Sequence, residues 1–182
     1  MSRIIALCCC FISALCFSCN QNAANADVKP QYFDLNGFLK NEAERLSAGN
    51  QPVKKRVFLN GKSEEKQMII TDWGKELSAL LDADINKKSF FGKYAEETRN
   101  EGMRETTYSA KEDKLRIRKL DITYANDGTP VKVNAVLRAE NILYASHQQL
   151  TYEKGAGYWI SGKQTIRFLE PDTFSVSIIF QP

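Results

Sequence analysis

Beyond residue 19 the chain has no cysteine at all; Cys8, Cys9, Cys10, Cys16 and Cys19 are its full complement in 182 residues. Everything after Cys19 can therefore form no disulfide, build no cysteine-ligated metal site and offer no thiol nucleophile. Histidine is nearly absent as well. His147 stands alone, which excludes a multi-histidine metal centre. It falls on an alternating stretch with Gln149 and Thr151, where a polar strand face accounts for it. Neither sign of charge dominates: 25 basic and 22 acidic residues leave a formal charge of +3, with both signs interspersed. A dedicated nucleic-acid binder concentrates basic residues on one face, so that class is set aside. The clusters Lys54-Lys55-Arg56 and Arg116, Arg118, Lys119 read as solvated strand faces. Anionic lipid or another acidic partner is the alternative for them.

Long apolar runs are also missing, with one exception. Ile4 to Phe17 runs without a charge behind the basic Arg3. It falls short of the roughly 20 apolar residues that a spanning helix needs. Its length and its position fit the apolar region of a secretory signal peptide. The run ends Leu15-Cys16-Phe17-Ser18-Cys19, followed by the polar Asn20-Gln21-Asn22.

This ending resembles the lipobox of bacterial lipoproteins, in the looser form of the Bacteroidetes type. The resemblance covers about the first 20 residues. It implies cleavage after Ser18, a small residue, and lipidation of the Cys19 sulfur, whose thiolate is the nucleophile. Cys16 follows the bulky Leu15 and is the poorer choice. Two residues depart from the usual pattern: Cys16 stands where Leu is usual, and Phe17 is bulkier than its counterpart. The implied organisation is a signal peptide over 1–18, an acylated cysteine and tether over 19–30, and one domain over 31–182. The implied location is the outer membrane, periplasm-facing, with a palmitate-type acyl anchor as the membrane partner. Residues 20–30 would span roughly 20 Å as a coil and at most roughly 36 Å extended.

The rest of the chain alternates between the two secondary-structure periods. Leu35, Phe38, Leu39, Ala43 and Leu46 mark one helix face, with Asp34 as cap and Gly49 at the end. Asn60-Gly61 lies between two extended runs and predicts a hairpin, with a loop longer than two residues. Trp73, Leu77, Leu80 and Leu81 mark a second helix over about 72–83. From Tyr94 onward the reading is strand after strand: 94–98, 103–110, 115–125, a run from Val131 in which Val133, Ala135 and Leu137 alternate with Lys132, Asn134 and Arg138, then 142–152, 158–169 and 174–180. Within 115–124 the apolar phase switches between Ile117 and Leu120, which a bulge near Lys119 would repair. The expected fold class is α+β. Two N-terminal helices and a hairpin precede an antiparallel meander of about six or seven strands, with the helices on one sheet face.

Few motifs carry chemistry. Gly61-Lys62-Ser63 lacks the glycine that a phosphate loop places five residues upstream, where Arg56 stands. Ser63 and Lys66 have serine–lysine spacing but lie in a polar turn region. Asp82, Asp84 and Asn86 lack the glycine and late glutamate of a calcium loop. No catalytic residue, metal or cofactor is assigned. Tyr144, Tyr152, Tyr158 and Trp159 sit among polar neighbours as a candidate binding surface for a lipid or an envelope protein. The functional expectation is a non-enzymatic, membrane-anchored binding or structural module. A lipid or lipoprotein carrier and a carboxylate-dependent envelope hydrolase are the alternatives.

Overall fold

A computed structural model of the chain describes residues 29–181. The signal-like run and Cys19 lie outside the described residues. The chain divides into two units, Met1–Pro30 and Gln31–Pro182, and the fold described is that of the second.

Helix α1, Leu35–Gly49, begins where the Asp34 carboxylate accepts a hydrogen bond from the Gly37 N–H at 2.9 Å. That bond satisfies one of the donors every helix start leaves orphaned. The helix ends as Asn50 turns into the left-handed conformation at φ 44°, so Asn50 rather than Gly49 supplies the terminating geometry. Leu35, Leu39, Ala43 and Leu46 form its buried stripe, as their spacing requires.

Strands β1 (Pro52–Leu59) and β2 (Lys62–Ile69) form the first hairpin. Its loop is two residues long, shorter than the sequence suggested. Asn60 and Gly61 both take positive φ, 46° and 84°, the geometry of the turn that matches strand twist. The second helix differs more. Instead of one element there are two single turns, α2 (Trp73–Glu76) and α3 (Ser78–Leu81). The Ser78 hydroxyl donates to the Lys75 carbonyl at 2.6 Å, and the following bonds close over three residues, Leu80 to Leu77 and Ala83 to Leu80. A serine that engages a nearby carbonyl competes with the regular helical ladder.

Seven further strands make a continuous meander: β3 (Tyr94–Arg99), β4 (Glu105–Ala110), β5 (Ile117–Tyr124), β6 (Pro130–Glu140), β7 (Tyr144–Glu153), β8 (Gly157–Ile166) and β9 (Asp172–Phe180). The first hairpin is not separate from them. β9 pairs with β1, giving one nine-stranded antiparallel sheet in the order β2-β1-β9-β8-β7-β6-β5-β4-β3. The meander has seven strands, but the sheet has nine rather than the six or seven expected, because a pairing between residues 52–59 and 172–180 leaves no local mark in sequence. Both edge strands are charged: Lys62, Glu64, Glu65 and Lys66 in β2, and Glu96, Glu97 and Arg99 in β3. Charged edges discourage pairing with a second sheet.

The phase switch in β5 is a bulge. Ile117 pairs with Leu137 and Lys119 with Val136, so Arg118 is the extra residue. This returns Leu120 and Ile122 to the same face as Ile117, where all three are buried.

One sheet face is covered by α1 and by the segment that carries α2 and α3. The core joins Leu39 and Leu46 of α1 and Trp73, Leu77 and Leu80 of the short helices to the sheet residues Leu120, Val133, Leu150, Tyr152, Tyr158 and Ile178. Trp73 meets Phe180 edge-on at 5.7 Å, and Phe38 meets Tyr152 at 5.9 Å. Lys55 of β1 pairs with Glu76 of α2 at 2.7 Å and ties the layers together at the margin. Among the described residues no helix covers the opposite sheet face, here called the open face.

Candidate functional site

Strand alternation separates the four aromatic residues singled out from sequence. Tyr152 and Tyr158 are paired neighbours on β7 and β8, fully buried beneath the helices. Tyr144 lies on that same face, half-buried near the end of β7. Trp159, one residue beyond Tyr158, points to the open face and is half-buried there. The four therefore do not share a surface.

The two buried tyrosines differ. The Tyr152 phenol donates to the Glu42 carboxylate at 2.5 Å. Arg45 donates to the same carboxylate at 2.8 Å and to the Tyr152 oxygen at 3.3 Å, and Lys154 lies 3.4 Å from the other carboxylate oxygen. Burial alone would raise the Glu42 pKa. Hydrogen bonds from Arg45 and Tyr152 and the charges of Arg45 and Lys154 outweigh it and hold the group below its ordinary value. Burial, then the bond to Glu42, pushes the Tyr152 phenol well above its ordinary value. The arrangement pins α1 to β7; a carboxylate already engaged on both oxygens has no free edge for a substrate. The Tyr158 hydroxyl is buried and has no hydrogen-bond partner among the described residues, and burial pushes its pKa upward.

On the open face, pairing lines up Asp121, Asn134, Thr151, Trp159 and Ser177 across β5 to β9. Asp121 is the keystone, only 6% exposed. Thr107 donates to its Oδ1 at 2.7 Å, Asn134 donates to its Oδ2 at 3.1 Å, and Lys119 lies 2.8 Å away. Asn134 in turn accepts from Thr151 and Gln149, each at 3.1 Å. Each amide and hydroxyl is thus oriented by its neighbour before any ligand arrives. A groove of about 700 Å³ runs over this network, with Met103, Glu105, Thr123, Lys132 and Glu153 along its sides. Glu153 pairs with Lys132 at 2.9 Å. The groove offers donors, acceptors and a nearby indole rather than a pair of free carboxylates.

The remaining motifs resolve structurally. Ser63 and Lys66 both lie on β2, three residues apart, and so face opposite sides of the sheet. Asp84 accepts from the Asn86 N–H at 2.9 Å, while Asn86 accepts from the Tyr32 N–H and donates to the Phe33 carbonyl. These residues fasten the chain before α1. His147 is exposed on the open face, paired in register with Arg138 and Lys163. Among the described residues no group of three or more acidic, histidine or cysteine side chains could hold a metal ion, and no helix is long and apolar enough to cross a membrane.

Sequence reading marked Asn134, Gln149 and Thr151 only as outward polar positions and missed Asp121, which sits between the apolar Leu120 and Ile122. The available signal was an acid inside an apolar strand. Its partners are 13 and 14 residues away in sequence and needed the strand register.

Compared with models of known protein families, with curated proteins and with solved structures, the chain has no match.

Proposed function

We propose that this protein is a bacterial envelope lipoprotein, anchored through Cys19, whose domain is a non-enzymatic binding module for an envelope protein. The observation that carries the binding reading is the pre-oriented network on the open face, with Asp121 at its base and Trp159 beside it. Oriented amides and hydroxyls lower the entropy cost of ordering side chains on association. Trp159 also gives contact area with few rotamers to freeze, while the amides and hydroxyls supply adaptable hydrogen bonding.

Two features weigh against the alternatives. A carrier needs space between helices and sheet, where Tyr152, Tyr158, Leu80 and Trp73 are each buried to 1% exposure or less. A carboxylate hydrolase needs a pair of acids free to exchange protons, whereas of the three acids lining the groove Asp121 and Glu153 are each held by a cation, which leaves Glu105 alone. The anchor rests on the lipobox resemblance.

The experiment places a photo-crosslinking residue at Gln149, and separately at Ile160 on the helix-side face as a control. A discrete protein adduct from position 149 alone is the expected result. Recovery of the bare chain from both positions would overturn the binding reading. Cys19→Ala, followed by membrane fractionation and mass analysis of the mature N-terminus, tests the anchor separately.

A further inference from the structure

The turns of an antiparallel meander alternate between its two ends. The β1–β2, β4–β5, β6–β7 and β8–β9 turns share one end, and three of them form a tied rim. Asn60 exchanges hydrogen bonds with Thr173 and donates to Asp172, joining the β1–β2 turn to the β8–β9 turn. The Arg167 N–H donates to the Leu143 carbonyl at 2.9 Å, joining the β8–β9 turn to the β6–β7 turn. Asn141 accepts from the Leu143 and Tyr144 N–H groups and fixes the tip between them.

This tied rim carries the three most exposed large apolar side chains of the described domain, with Leu143 beside them. Phe168 is 88% exposed, Ile142 81%, Leu169 63% and Leu143 58%. Phe168 adopts φ +71°, a conformation that suits glycine and strains a phenylalanine. The turn thus keeps an aromatic ring where a glycine would relax it, and directs that ring to solvent. Arg167 lies over the ring, 5.0 Å from its centroid. An apolar tip with a cation just behind it matches the depth profile of a bilayer interface, acyl chains below and headgroups above. Basic residues outnumber acidic ones in and beside the neighbouring β4–β5 turn, where Lys111, Lys114, Arg116 and Arg118 stand against Glu112 and Asp113, while the rim turns themselves carry Glu140, Glu170 and Asp172 beside Arg167. The compact unit also begins there, since Gln31 accepts from the Gly92 N–H just before β3, whose first residue lies at that end.

We propose that this rim docks onto an anionic phospholipid surface, with Ile142, Leu143, Phe168 and Leu169 entering the interface and the β4–β5 basic residues meeting the headgroups. The proposal rests on the anchoring reading only for bringing the domain near a bilayer.

The test uses residues 20–182, which lack Cys19 but keep the whole core, from Tyr32 to Phe180. This chain is sedimented with vesicles of phosphatidylethanolamine and phosphatidylglycerol, and with vesicles of phosphatidylcholine alone. Binding to the anionic vesicles is expected, weakened by salt. The pair Ile142→Ser and Phe168→Ser should reduce it about tenfold or more while leaving the melting temperature within a few degrees, because these side chains are already in water. Absence of wild-type binding, or binding indifferent to the pair, overturns the proposal. So does a wild-type dimer that the pair converts to monomer, since the rim would then join two copies of the chain. Because the tested chain carries no anchor, these outcomes are independent of whether Cys19 is lipidated.

Discussion

The Tyr152 hydroxyl and the Glu42 carboxylate, 110 residues apart in sequence, meet at 2.5 Å beneath α1. This contact fixes the helix against the centre of the sheet and makes a buried charge tolerable. A buried carboxylate that loses a donor bears the desolvation cost without compensation. Tyr152→Phe should therefore lower stability by about 1–2 kcal/mol at neutral pH, measured by urea denaturation.

The same pair sets a pH dependence. Glu42 has a folded-state pKa below its ordinary value. Its contribution is complete above the unfolded carboxyl value of about 4.3. It is lost as pH falls through the folded value. Wild type should exceed Glu42→Gln in melting temperature at pH 7, and the gap should narrow as the solution is acidified below about pH 4. A gap that widens in acid would contradict the assignment.

Gly157 in β8 lies against the Ile178 carbonyl, which a Cβ would overlap, and against the Trp159 ring. The carbonyl belongs to the β9 backbone and cannot move without breaking the ladder. Gly157→Ala should cost about 2–3 kcal/mol. At Gly162 the nearest obstruction is the Phe174 ring at 2.7 Å, a half-buried side chain that can turn aside. Gly162→Ala should cost less than half as much in the same denaturation assay.

These residues also mark what sequence could convey. The α1 stripe, the Asn60-Gly61 turn and the β5 phase switch were legible because each is a local pattern of period or turn chemistry. The β1–β9 pairing was not, since it joins distant segments by backbone bonds alone. Ile142, Leu143 and Phe168 look like strand ends in sequence because apolar residues extend an apolar run, whereas they occupy exposed turns. The open-face network was half legible: alternation placed Asn134, Gln149 and Thr151 outward, but only register brings Asp121 beneath them.

The two tryptophans report on different layers. Trp73 is 1% exposed against Phe180, while Trp159 is half-buried on the open face. Trp73→Ala removes a core anchor and should cost about 3–5 kcal/mol. Trp73→Phe should preserve the fold and leave Trp159 as sole emitter. Its fluorescence should then be quenched by acrylamide more strongly than that of Trp159→Phe.

Within the open face, orienting and contacting roles can be distinguished. Asp121 is buried and accepts from Thr107 and Asn134 while pairing with Lys119. Asp121→Ala strands those donors and should cost about 1–3 kcal/mol as well as weakening partner capture. Gln149 is exposed and bonded only at the edge of the network. Gln149→Ala should change stability by no more than about 0.5 kcal/mol. It should nevertheless reduce the adduct formed from a crosslinker at the neighbouring Ser161, if the open face is where the partner lies. A Gln149→Ala chain that captures its partner at the wild-type level would move the contact away from β6–β8. A loss of capture confined to Asp121→Ala would make the network a structural brace rather than a binding surface.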